Sequence, residues 1–174
     1  MAGEDEAWVE LAYTVMATNG INRFADALRV PPDFSDNWPF KPYLPLVSEE
    51  EAEGRVKRTY EDIKEFYQMD KVPNAYKALA LNPTVLDIRW RFVKSVFQDQ
   101  EGKLDRFHKE LFALAASAGA RSPYGMDFHM REARRLGADD EVIYEVMAVV
   151  HYFSGLTRFA ETLQLEPDML PRQL

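Results

Sequence analysis

Residues 2–34 of this 174-residue chain recur as residues 137–169 without an insertion or deletion. Identical pairs include Asp5/Asp140, Glu6/Glu141, Glu10/Glu145, Val15/Val150, Gly20/Gly155, Arg23/Arg158, Phe24/Phe159, Ala25/Ala160, Leu28/Leu163, Pro32/Pro167 and Asp33/Asp168. Two unrelated amphipathic helices share apolar spacing, but they do not share a Gly-x-x-Arg-Phe-Ala turn with a Pro-Asp in register behind it. The chain therefore reads as one helical unit, residues 48–174, preceded by a degenerate copy of that unit's last helices, residues 1–34. Residues 35–47 connect them, and the whole is expected to pack as one domain. Met16 stands in the first copy where His151 stands in the second, so the first copy is expected to pack rather than react.

Helical spacing governs nearly everything else. The predicted helices cover residues 4–19, 22–28, 48–67, 74–81, 83–98, 105–118, 123–136 and 140–163. Ser48 with Glu51 three residues on is a capping-box pattern. Ser122-Pro123 reads as an N-cap with proline at N1, and Gly137 sits where a C′ glycine belongs. Residues 31–47 hold Pro31, Pro32, Pro39, Pro42 and Pro45 among Trp38, Phe40 and Tyr43, too many prolines for a helix. They are expected to form an extended strap over an apolar surface. Strand signals are nearly absent, and the predicted fold class is all-α.

Composition narrows the chemistry. The chain has no cysteine, which removes disulfides, zinc–thiolate sites, iron–sulfur clusters and thiol redox chemistry from its own repertoire. A formal net charge of −8 argues against nucleic acid or an anionic membrane as partner. No apolar run reaches the ~20 residues of a membrane span. The acidic start, Met1 to Glu6, does not look like a signal peptide, and a cytoplasmic location is expected.

Several stretches carry a resemblance. These are residues 109–118 with Glu110 near their start, residues 122–129 ending in His129, residues 133–141, and His151-Tyr152-Phe153-Ser154-Gly155. Together with a lead-in at residues 45–60 and 72–83, they resemble the carboxymuconolactone decarboxylase / alkyl hydroperoxidase D-like family across residues 44–165. The resemblance implies an all-α bundle of the alkyl hydroperoxidase D type that assembles as a homo-oligomer (dimer, trimer or hexamer). In its peroxidase branch a glutamate precedes Cys-x-x-Cys, with a histidine four residues beyond the second cysteine. Here Glu110 and His129 hold the outer places, while Ser122 and Gly125 replace the two cysteines. The decarboxylase branch lacks the cysteine pair and keeps a tyrosine five residues before the histidine, as Tyr124 and His129 do here. That branch places a glutamate and a tryptophan between them, where this chain has Gly125 and Met126.

The expected function is acid–base chemistry, a decarboxylation or isomerisation, on a small carboxylate or lactone, with no cofactor. Glu110 would orient His129, His129 would carry the proton, and Tyr124 would steady an oxyanion. Ser122, His151 and Arg158 are candidate substrate contacts, although Ser122 is also the expected N-cap and a surface ion pair is the plainer reading of Arg158. A transition metal held by Glu110, His129 and His151 is a second arrangement. The plainer alternative makes Glu110 and His129 a polar pin between two helices in a non-catalytic oligomeric or binding scaffold.

Overall fold

The computed structural model describes residues 2–35, 37–98 and 102–166, with the side chains of residues 2–5 left aside. Of the repeat pairs, those involving Asp5, Pro167 and Asp168 therefore lie outside the described side chains. Seven α-helices and no strands are found among the described residues: α1 (Ala2–Ala27), α2 (Gly54–Tyr67), α3 (Asn74–Leu79), α4 (Pro83–Phe97), α5 (Arg106–Gly119), α6 (Pro123–Arg135) and α7 (Asp140–Thr162). No helix is long and apolar enough to cross a membrane.

The last four helices, α4 to α7, each start where a short polar side chain satisfies orphan amides. Asn82 accepts from the N–H of Thr84 at 3.1 Å and of Val85 at 3.3 Å, with Pro83 opening α4. Asp105 accepts from His108 N–H at 2.9 Å, Ser122 from Gly125 N–H at 3.2 Å, and Asp139 from Val142 N–H at 2.9 Å. Gly137 ends the α6 segment at φ +109°, a conformation that favours glycine.

Three expectations are corrected. The first two predicted helices are one, α1, because Asn22 is buried and its amide reaches Ser117 Oγ at 3.0 Å. Packing on α5 outweighs the roughly 1 kcal/mol that a mid-helix glycine such as Gly20 costs. The capping box forms, with Ser48 N–H on Glu51 at 3.0 Å and Glu51 N–H on Ser48 Oγ at 3.2 Å, but it closes a turn. Ala52 dips into the core and Gly54, at φ +52°, redirects the chain before α2 begins. The strap is irregular, as its prolines require, yet Phe40 and Tyr43 lie exposed rather than over an apolar face. They collect instead around the Arg29 guanidinium, 5.1 Å and 4.5 Å from the two ring centroids.

The main core joins α2, α3, α4 and α6 through Ile63, Tyr67, Tyr76, Leu86, Trp90 and Phe128. A second cluster on Ala25, Val30, Ala75, Ala78 and Tyr124 seats the end of α1. A third, on Leu114, Ala133, Ala138 and Ile143, anchors the first turns of α7 to α5 and α6. Beyond Val150 the exposed positions of α7 run unbroken to its last turns, apart from half-buried Ala160. The two repeated helices also end alike. Arg29 and Gln164 take φ +55° and +52°, and Val30 N–H bonds Ala25 O at 2.9 Å as Leu165 N–H bonds Ala160 O at 3.0 Å.

Asp33, at the foot of the strap, is buried and accepts from Asn74 N–H at 2.7 Å, with the Tyr124 hydroxyl beside the same carboxyl. Burial pushes its pKa up from 3.8 to about 6. A raised carboxyl pKa favours the folded state while the group is protonated and penalises it once charged. Stability is therefore expected to fall as pH rises from about 4 through about 6, by on the order of 3 kcal/mol at most. Asp33→Asn keeps the acceptor for Asn74 and should flatten that slope, which thermal melts between pH 4 and 7 would show. An unchanged slope would place the pH dependence elsewhere.

Candidate active site

Helices α5 and α6 form an antiparallel hairpin closed at residues 120–122, where Arg121 takes φ +55°. The hairpin brings Glu110 and His129 face to face: His129 Nδ1 lies 2.7 Å from Glu110 Oε2, with both residues buried. With the carboxylate as acceptor, Nδ1 carries the proton, leaving Nε2 as the ring nitrogen able to take another. The imidazole stacks on Phe97, 12° from parallel at 6.2 Å, and takes the edge of Phe128 at 5.2 Å.

Glu110 also accepts from Arg106 Nε at 3.0 Å, one helical turn earlier. Arg106 continues to Glu132 at 3.1 Å, and Arg135 closes on Glu132 at 2.9 Å. Two carboxylates and two guanidinium groups thus balance one another without an imidazolium. Burial alone would raise the Glu110 pKa, but the His129 hydrogen bond and the charges of His129 and Arg106 overcome it and hold the carboxyl below its ordinary range. Arg106 and Glu132 are absent from the expected site, though their i−4 and i+3 spacing from Glu110 and His129 signals them.

His129 forms part of the wall of a small apolar cavity of about 30 Å³, shared with Phe97, Phe128 and Tyr67 from the unit and with Ala17, Thr18 and Asn22 from α1. That is room for about one water. Arg89 enters from α4. Its guanidinium donates to Ala17 O, its Nε has no hydrogen-bond partner, and no carboxylate pairs with it among the described residues. Burial lowers its pKa, the signature of a cation out of water without a counter-ion. Sequence reasoning passed over Arg89, although a charge on the apolar stripe of Val85, Leu86, Trp90 and Val93 was the available signal. Thr18 Oγ1 and Asn22 Oδ1 are also buried without partners.

The remaining candidates are dispersed. Tyr124 is buried in the same wall, but its hydroxyl accepts from Ala75 N–H at 3.1 Å, and burial and the neighbouring Asp33 charge push its pKa well up. The phenol thus ties α3 to α6. Ser122 is the N-cap of α6, and its hydroxyl donates to Asp26 at 3.0 Å. It does not line the cavity. His151 and Arg158 lie on the exposed half of α7, where Arg158 pairs with Glu161 at 3.0 Å. The structure does not bring His151 to Glu110 and His129, and no three His, Asp or Glu side chains among the described residues are grouped to hold a metal ion.

Over 111 residues the chain is 28% identical to an (R)-2-haloacid dehalogenase of Pseudomonas putida, a match covering 64% of this chain and 36% of that protein. The chain thus spans about a third of that relative's length. The fold is similar to the alkylhydroperoxidase AhpD core of Rhodospirillum rubrum, with a TM-score of 0.62 at 29% identity, covering 66% of this chain and 83% of that one. Residues 83–165 match the carboxymuconolactone decarboxylase family model. That segment, which carries Glu110 and His129, is therefore of the carboxymuconolactone decarboxylase family type, in a chain without cysteine.

Proposed function

We propose that the cavity is an acid–base site for a small carboxylate, with Arg89 holding the anion and His129 moving the proton. One observation carries this reading: a half-buried guanidinium, its Nε buried without a partner and no carboxylate paired with it among the described residues, lines the same cavity as a histidine whose other nitrogen is fixed by a buried glutamate. An anionic ligand would supply the missing counter-charge to Arg89. In an isomerisation, His129 Nε2 takes a proton from the carbon beside a carbonyl and returns it to a neighbouring carbon. In a decarboxylation, the C–C electron pair stays on the substrate carbon as carbon dioxide leaves, and the imidazolium protonates that carbon. Glu110 stabilises the imidazolium in both. Tyr124, with its hydroxyl engaged, shapes the wall, and the name of the Pseudomonas putida relative supports a short 2-substituted carboxylic acid as the substrate class.

A cavity of about 30 Å³ is too small for such a molecule, so entry requires the wall formed by α1 to move. The same tightness favours the second reading, a scaffold in which the ion network pins α5 to α6. Thermal-shift measurements with 2-chloropropionate, pyruvate and uncharged lactones separate the two. A bound carboxylate at a hundredfold excess over its Kd should add about 2.7 kcal/mol, or several degrees in Tm. Arg89→Met should abolish the response. If the wild type responds to no carboxylate, the acid–base reading falls and the scaffold stands.

A further inference from the structure

The cavity holds a donor that the acid–base reading leaves idle. Tyr67, the last residue of α2, and Tyr76 of α3 are buried and line it together with Arg89 and His129. Their hydroxyls lie 3.3 Å apart and share one hydrogen bond. Two phenols bring two protons, so one O–H has no acceptor among the described residues. Aromatic packing fixes where the two oxygens sit. The Tyr76 ring stands at 89° to Trp90 with centroids 5.6 Å apart, and the Tyr67 ring at 88° to Phe128 at 5.1 Å. The Arg106 guanidinium lies 5.0 Å from the centroid of the Tyr67 ring, which ties the pair to the Glu110 network.

A buried donor without an acceptor is costly, and a ligand that supplies one is favoured. The chemistry of the site makes such an acceptor. When His129 Nε2 takes the proton from the carbon beside a carbonyl, the C–H electron pair becomes a C=C bond and the carbonyl π pair moves to oxygen. The substrate then carries two negative charges, a carboxylate and an enolate, and Arg89 answers only the first. Burial raises the Tyr76 pKa, so the phenol stays protonated and able to donate at neutral pH. The Tyr67 hydrogen bond and the Arg89 charge act in the opposite sense and strengthen it as a donor.

We propose that Tyr76 is the catalytic oxyanion donor of this site, with Tyr67 as its positioning residue and 2-oxo acids bearing a hydrogen on the next carbon as the substrate class. The Tyr67 hydroxyl donates to Tyr76, and the Tyr76 proton is turned to the enolate oxygen. That hydrogen bond strengthens as the charge develops and weakens when the imidazolium returns the proton to carbon. It therefore acts on the transition state more than on the bound acid. The role expected of Tyr124 falls to a phenol of α3 whose hydroxyl is not engaged by a backbone amide. The assignment rests on the carboxylate-binding reading of the cavity.

The test is isothermal titration of the full chain with pyruvate and with oxalate, whose planar dianion resembles the enolate of pyruvate. The wild type should bind oxalate on the order of tenfold more tightly than pyruvate, or better. Tyr76→Phe should keep its helical content and its pyruvate affinity and lose the preference for oxalate. Tyr67→Phe leaves the Tyr76 donor in place without support and should lose only part of that preference. If both variants keep it in full, the phenol pair stabilises no oxyanion and the assignment is overturned. A folded Tyr76→Phe that loses pyruvate and oxalate equally overturns it too, because Tyr76 then serves the carboxylate. Should Tyr76→Phe fail to fold, the Tyr67→Phe ratio decides in the same way. A wild type that binds pyruvate without preferring oxalate sinks this assignment alone, whereas one that binds neither removes the acid–base reading with it.

Discussion

Glu110→Ala is expected to destabilise this protein by about 3–5 kcal/mol, more than any other single truncation at the site. Glu110 is fully buried and receives two charged or polarised donors, Arg106 Nε at 3.0 Å and His129 Nδ1 at 2.7 Å. Truncation leaves two cations facing one remaining carboxylate, Glu132, with Arg106 buried and only Arg135 reaching water. A buried charge without compensation is costlier than a lost contact. His129→Ala removes the ring stacked on Phe97 but leaves Glu110 paired with Arg106, so about 2 kcal/mol is expected. Urea unfolding of the two variants decides the order, and a Glu110→Ala cost below 1 kcal/mol would show that the network relaxes or hydrates freely. The pH dependence has a definite sign. The folded-state pKa of Glu110 is depressed below 4.5, so its contribution is present above that value and is lost as pH falls through the folded pKa. Glu110→Gln should flatten that acid limb, whereas Asp33→Asn acts on the slope between about 4 and about 6.

What the sequence disclosed depended on how local the signal was. The caps at Asn82, Asp105, Ser122 and Asp139 and the end at Gly137 depend on a few adjacent residues, and the four helices these caps open start within one residue of the expected boundaries. The Glu110–His129 pairing was legible because a short turn folds one helix on the next. Arg89 was not, since its role depends on α1 closing over it, a contact between residues 72 positions apart. The length of α1 escaped for the same reason: Gly20 reads locally as a break, and only Asn22 reaching Ser117 shows why the helix continues. Phe40 and Tyr43 looked like buried strap residues because aromatic character does not distinguish an apolar surface from an arginine face.

Gly125→Ala should destabilise the protein by about 2 kcal/mol or more, although alanine in a helix normally stabilises by up to 1 kcal/mol over glycine. A Cβ at this position would lie 2.1 Å from Asn22 Oδ1 and 2.5 Å from Ser117 Oγ, so α1 must yield. Asn22→Ala removes the nearest of these atoms. The double variant should then recover 1–3 kcal/mol relative to the sum of the single costs. Strict additivity in chemical denaturation would show that α1 does not press on Gly125. The same geometry bears on the missing thiols. In the resemblance to peroxidase relatives, Ser122 and Gly125 stand where the two cysteines would be. Ser122→Cys removes the oxygen that caps Gly125 N–H, and Gly125→Cys drives a sulfur into the space held by the Asn22 amide. Restoring both cysteines should therefore cost more stability than Gly125→Ala alone, and adding Asn22→Ala should recover part of it. The docking of α1 over the cavity and the glycine at position 125 are two sides of one packing arrangement, and a thiol returns to that site only if α1 gives way.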